Sequence, residues 1–111
     1  MDCIFCNIIN KKLPADIIYA DKEIIVFKDI KPVAPLHLLI VPKKHIISIN
    51  QLEVEDKELI GQLFFIAKKI AKEQNIFKTG YRLIFNIGPD AGQMVDHLHL
   101  HLLGKKKLSS M

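Results

Sequence analysis

The chain has 111 residues, half of them hydrophobic, with two cysteines, no tryptophan and a formal charge of +4. That length suits one domain, read as residues 1–111, whose core needs no disulfide support. The charge excess is modest and not interleaved with aromatic residues, and no apolar run nears the roughly 20 residues that cross a bilayer, so neither nucleic-acid nor membrane partners are expected.

Met1-Asp2-Cys3 lacks the basic and apolar regions of a secretion signal, which points to the cytoplasm. Cys3 and Cys6 form a C-x-x-C pair. A thioredoxin-type redox pair would follow a strand, and there is no room for one upstream. A structural disulfide is disfavoured in a reducing compartment. Metal binding leads, although two thiolates supply only half of a tetrahedral zinc site. The alternative is two reduced thiols packed beside Ile4 and Phe5. Ile8 to Pro14 reads as a short helical turn ended by the proline. Ile17–Tyr19 and Glu23–Phe27 read as a β-hairpin around Asp21-Lys22. Asp29 then precedes the stiff segment Lys31-Pro32-Val33-Ala34-Pro35, and by itself reads as a turn residue. Leu36 to Pro42 is a nearly continuous apolar run, the pattern of a central strand buried on both faces. His37 at its start would ordinarily be a satisfied core histidine.

Beyond a connection at Ser48–Leu52, the spacing predicts a long helix from Glu53 to Gln74. Leu59, Leu63, Ile66, Ala67 and Ile70 share one face. Acidic residues at its start and Lys68, Lys69 and Lys72 near its end suit the helix dipole. Phe64 and Phe65 widen the apolar surface, either as broad core or as a dimer contact. Tyr81 to Asn86 is another strand, with Asn86 a candidate pocket residue. Gly88 and Gly92 then open a loop delivering Gln93 and Met94, where glycine lets backbone N–H groups approach an anion.

In His97-Leu98-His99-Leu100-His101-Leu102-Leu103, three histidines alternate with leucines. Period two puts the histidines on one face of a strand and the leucines on the other. Neutral imidazole can act as nucleophile, acid, base or metal ligand. Three consecutive same-face histidines span too far for one zinc, whose nitrogens sit about 2.0 to 2.1 Å from the ion, so they must divide their tasks. The order hairpin, strand, helix, strand, strand predicts an α+β fold with an antiparallel sheet and the helix on one face.

The seven positions His97–Leu103 match the His-φ-His-φ-His-φ-φ pattern, with φ apolar. Phe27–His37, Val41–Ile46, Tyr81–Asn86 and Ala91–Gln93 match its flanking blocks, so that the likeness runs from Cys3 to Gly104. The chain resembles the histidine-triad (HIT) superfamily, most closely its nucleotide-binding, Hint-like branch. The resemblance implies a five-stranded antiparallel sheet with one long and one short helix, and a homodimer joined into a ten-stranded sheet. It implies a purine nucleoside phosphoramidase-type hydrolase, cleaving nucleoside 5′-phosphoramidates through a nucleotidyl-histidine on His99. In that reading His101 and His37 hold phosphate oxygens or orient His99. Asp29 receives the ribose hydroxyls, and Phe5, Ile8, Phe27 and Ile30 form the slot for the base. Asn86, Gly92, Gln93 and Met94 complete the nucleotide site. Cys3, Cys6, His45 and His97 would hold a structural zinc, which would make His97 a scaffold. Met94 departs from the Ser or Thr that relatives often carry, and a thioether donates no hydrogen bond to a leaving group. The other readings are a dinucleoside polyphosphate hydrolase and a nucleotide-binding regulatory module.

Overall fold

The structure, a computed structural model, describes residues 3–110. Its elements are helix α1 (Ile4–Ile9), strands β1 (Ile17–Ala20), β2 (Ile24–Lys28) and β3 (Leu36–Pro42), helix α2 (Lys57–Glu73), and strands β4 (Arg82–Ile84) and β5 (Leu100–Gly104). The strands form one sheet in the order β1-β2-β3-β5-β4, with every neighbouring pair antiparallel. Asp21 builds the expected hairpin. One of its carboxylate oxygens accepts from the Glu23 and Ile24 N–H groups at 2.8 Å each, and the other accepts from the Tyr19 hydroxyl at 2.7 Å.

The sheet is buried on both faces because β2 and β3 alternate apolar residues in both directions. Ile24, Val26, Leu36, Leu38 and Ile40 pack with Leu98, Leu100 and Leu102 against the predicted stripe of α2. Ile25, Phe27, Leu39 and Val41 pack on the other side with Phe5 and Ile8 of α1. The triad leucines thus face α2, and the histidines between them look toward α1.

Four boundaries differ from the sequence reading, each for a local reason. The short helix begins at Ile4 rather than Ile8, because Cys3 caps it: its sulfur accepts from the Cys6 N–H at 3.4 Å. The chain then leaves the helix before Pro14, with Lys11 at a positive φ of 61°. The long helix starts at Lys57, after a 3₁₀ turn at Val54–Asp56 in which Asp56 accepts from the Glu53 N–H at 2.9 Å. The strand expected over Tyr81–Asn86 is limited to Arg82–Ile84.

The fourth difference matters most. Of the three triad histidines, only His101 lies within β5; His97 and His99 precede the paired strand. The ladder with β3 ends at Ile40–Leu100. Beyond it Pro42 has no N–H to offer, and its carbonyl receives the His97 ring N–H at 2.7 Å instead of a ladder bond. The His97 ring takes the place of a ladder bond there, and the Leu98 N–H donates to the Ile46 carbonyl at 2.6 Å, yet the alternation persists.

Candidate active site and metal centre

A cavity of about 430 Å³ lies on the α1 side of the sheet and is lined by Phe5, Ile8, Phe27, Asp29 and Ile30, together with His37, Asn86, Gly92, Met94, His99 and His101. These are eleven of the residues singled out from the sequence. Phe5 stands edge-on to the His99 ring at 5.1 Å and to Phe27 at 5.3 Å, so α1 supplies a rigid aromatic wall beside the triad. Ile30 and Met94 form the rim and are each 90% exposed.

Two expected groups behave differently. Gln93 is outside the cavity lining: its amide accepts from the Gly88 N–H at 2.9 Å and donates to the Ile47 and Val95 carbonyls at 2.8 and 3.0 Å. It is a strut for the loop. Nor do the Gly92 and Gln93 N–H groups stand ready for an anion, since they already donate to the Pro89 and Gly88 carbonyls at 3.0 and 3.1 Å. Gly92, at φ +83°, is needed for the turn rather than as a donor.

The hydrogen bonds assign the histidine protons. The Val33 N–H donates to His37 Nδ1 at 3.1 Å, so the neutral His37 ring carries its proton on Nε2. That Nε2–H faces His101 Nδ1 at 2.9 Å and Asp29 Oδ2 at 3.3 Å. With Nδ1 accepting, His101 carries its proton on Nε2. His99 Nδ1–H donates to the His97 carbonyl at 2.7 Å, which leaves Nε2 as the unprotonated nitrogen of a ring lining the cavity. Asp29 turns its other oxygen to the Lys31 N–H at 2.8 Å, which orders the loop leading to Val33.

The electrostatics keep these rings neutral. Burial pushes His99 below the usual imidazole range, and it does the same to His37 against the opposing pull of Asp29. His101 is pushed down to about 4, first by burial and then by His99 and His37. Between the ordinary value near 6.5 and about 4, the unfolded chain therefore binds a proton at this position that the folded chain does not. Stability should be complete above that window and fall as pH drops through it. Chemical denaturation at pH 7 and pH 4.5 should show a loss of about 2 kcal/mol from this site, allowing for its partial exposure. His101→Gln should lose that part of the slope; an unaltered slope would refute the assignment.

Next to the cavity, Cys3, Cys6, His45 and His97 place four ligand atoms within 4.8 Å of one another. The His97 Nε2–H is committed to Pro42, so its Nδ1 presents a lone pair to the cluster. His45 Nδ1 lies 3.2 Å from His97 Nδ1, Cys3 Sγ 3.3 Å from His97 Nδ1, Cys6 Sγ 3.3 Å from His45 Nδ1 and Cys6 Sγ 3.6 Å from His97 Nδ1. A tetrahedral zinc bonded at about 2.3 Å to sulfur and 2.0 to 2.1 Å to nitrogen has edges of about 3.3 Å between nitrogens and about 3.6 Å between nitrogen and sulfur. The donor set fits that ion in type, number and spacing. Burial and the adjacent Cys3 push the Cys6 thiol up, a tendency that a bound cation would reverse.

Sequence reasoning passed over the backbone groups that set the tautomers, namely the Val33 N–H and the His97 and Pro42 carbonyls, because only the packed chain brings them to the rings. It also missed Leu39 in the cavity wall. Its position two residues after His37 on one strand was a usable signal.

A five-stranded antiparallel sheet with a histidine-lined cavity on the face opposite its long helix defines a fold class, and solved structures share it nearly completely. A histidine triad protein from Clostridium difficile aligns with a TM-score of 0.97 at 43% identity, covering all of this chain and 96% of that one. A HIT family hydrolase from Legionella pneumophila aligns at 0.95 with 45% identity, covering 97% and 96%. In sequence, residues 2–111 match the family described as scavenger mRNA decapping enzyme C-terminal binding. A purine nucleoside phosphoramidase of Escherichia coli is 41% identical over 110 residues, 99% of this chain and 92% of the relative. The chain belongs to the histidine-triad (HIT) family.

Proposed function

We propose that the protein hydrolyses purine nucleoside 5′-phosphoramidates by way of a nucleotidyl-histidine on His99. The observation that carries the proposal is the His99 tautomer: Nδ1–H is engaged by a backbone carbonyl, and the free Nε2 belongs to a ring that lines the cavity. In the first step Nε2 attacks the α-phosphorus, a P–Nε2 bond forms and the P–N bond to the amine breaks. The amine leaves with a proton drawn from solvent water, while the His101 Nε2–H donates a hydrogen bond to the developing charge on a phosphate oxygen. The ring is now cationic, and the His97 carbonyl stabilises it through Nδ1–H. Water then attacks phosphorus, the P–Nε2 bond breaks and the proton of the attacking water returns to solvent, releasing the nucleoside 5′-monophosphate and restoring neutral His99.

Phe5, Ile8 and Phe27 supply apolar walls for the base, as small-ligand sites commonly do. Asp29 is an acceptor at the cavity edge suited to ribose hydroxyls. When bound, zinc supplies a structural tie between the start of α1 and the triad segment, through Cys3, Cys6, His45 and His97. The chemistry of the reaction stays with His99, His101 and His37.

Steady-state turnover of adenosine 5′-phosphoramidate should exceed that of a diadenosine polyphosphate by at least tenfold in kcat/KM. The reverse order would favour the polyphosphate hydrolase reading, and binding without turnover of either would favour a regulatory module.

The same reading includes a homodimer. Phe65 is 73% exposed and Phe64 is 44% exposed on α2, with Phe64 edge-on to Phe85 just past β4. β4 is an edge strand, so these side chains and its free backbone groups offer one continuous surface. Joining two copies there would produce the ten-stranded sheet. Light scattering at micromolar concentration should give a mass of two subunits, and Phe65→Glu should shift it toward one. A wild-type mass of one subunit would exclude this arrangement.

A further inference from the structure

A second hollow, also of about 430 Å³, adjoins the nucleotide cavity. Ile4, Met94 and Val95 line both, and Cys3, His45, Ile47 and Asp96 line the second alone. Its apolar residues are unusually open: Ile4 is 53%, Ile47 44% and Met94 90% exposed. Asp96 is exposed and enters none of the salt bridges among the described residues. The first cavity lies at the small end of ligand pockets, about enough for one nucleotide. A substituent on phosphorus larger than ammonia must therefore emerge at the rim, and Met94 is the rim residue shared with the second hollow. Apolar walls there would cover an alkyl or aryl group, whereas the Asp96 carboxylate would repel an anion.

We infer that this hollow is a leaving-group subsite that selects amines with an apolar, uncharged or cationic substituent and rejects anionic ones. The inference rests on the phosphoramidase reading and adds the substrate's second half to it. It also gives a physical reason for discrimination against polyphosphates: their leaving group is an anion and would meet Asp96. Selectivity would then come from repulsion as much as from contact.

The test uses three adenosine 5′-phosphoramidates whose leaving amines are closely matched in basicity: methylamine, hexylamine and 6-aminohexanoate. The hexyl compound should exceed the methyl compound in kcat/KM by about tenfold, because several methylenes leave water. It should exceed the carboxylate by about five- to tenfold at low salt. Asp96→Asn should narrow the ratio of hexyl to carboxylate, and Ile47→Lys, which places a cation in the same hollow, should narrow it further or invert it. Zinc content and melting temperature of each variant check that the fold is intact. Equal kcat/KM for hexyl and methyl compounds, or a hexyl-to-carboxylate ratio unmoved by both substitutions, overturns the subsite. Failure to cleave any of the three, including the methyl compound, overturns the phosphoramidase reading itself.

Discussion

His99→Ala is expected to lower kcat for an adenosine phosphoramidate by several orders of magnitude while leaving nucleotide affinity largely intact. The ring is held by one hydrogen bond, from Nδ1–H to the His97 carbonyl at 2.7 Å, and its other nitrogen has no assigned proton. In the proposed mechanism its removal deletes the attacking atom and leaves Phe5, Phe27 and Asp29 to hold the base and ribose. Loss in kcat without loss in binding is the signature of a group acting in the transition state. His101→Ala should cost less, about 10² to 10³-fold, because it removes one donor to the developing charge and not the nucleophile. Asp29→Ala should chiefly raise KM. Quenched turnover followed by mass spectrometry should show a nucleotidyl adduct on the peptide carrying His97 to His101, absent from His99→Ala. Wild-type turnover in His99→Ala would instead favour a metal-activated water, for which Asp29, His37 and His101 offer a second close cluster of ligand atoms.

The second large effect is expected from the cysteines. Protein purified without chelator should contain near-stoichiometric zinc, and Cys3→Ala should abolish it. Metal that binds only the folded chain contributes its binding free energy to folding, so the loss in stability should reach several kcal/mol. Three separate segments meet at this cluster: the cap of α1, the stretch after β3 and the start of the triad. Since Phe5 of α1 lies against His99, loosening the tie should also raise KM, with kcat reduced far less than in His99→Ala. Urea denaturation and metal analysis of the same samples separate these effects. Zinc retained in the Cys3→Ala, Cys6→Ala double variant would exclude the assignment.

Much of this was legible in the residues themselves. Period two in His97–Leu103 separated a leucine face from a histidine face, and the folded chain keeps that separation, because Leu98, Leu100 and Leu102 must be buried against α2. The nearly continuous apolar run of β3 announced a strand covered on both sides, and the stripe from Leu59 to Ile70 announced the face of α2 that covers one of them. These patterns are local: a period and a composition determine which side chains leave water, whatever the partner.

Tertiary structure alone decided the rest. No spacing in the chain says that Pro42, lacking an N–H, would leave a carbonyl for His97 to fill, or that the triad would therefore begin before its strand does. Nor does any spacing reveal that the Gly92 and Gln93 N–H groups are engaged within their own loop. The unprotonated nitrogen of His99 and the proton on His101 follow from hydrogen bonds to the His97 carbonyl and, through His37, to the Val33 N–H. Imidazole has two nitrogens and one proton, and a sequence names the ring without saying which nitrogen holds it. That choice belongs to whatever donor or acceptor folding brings within about 3 Å.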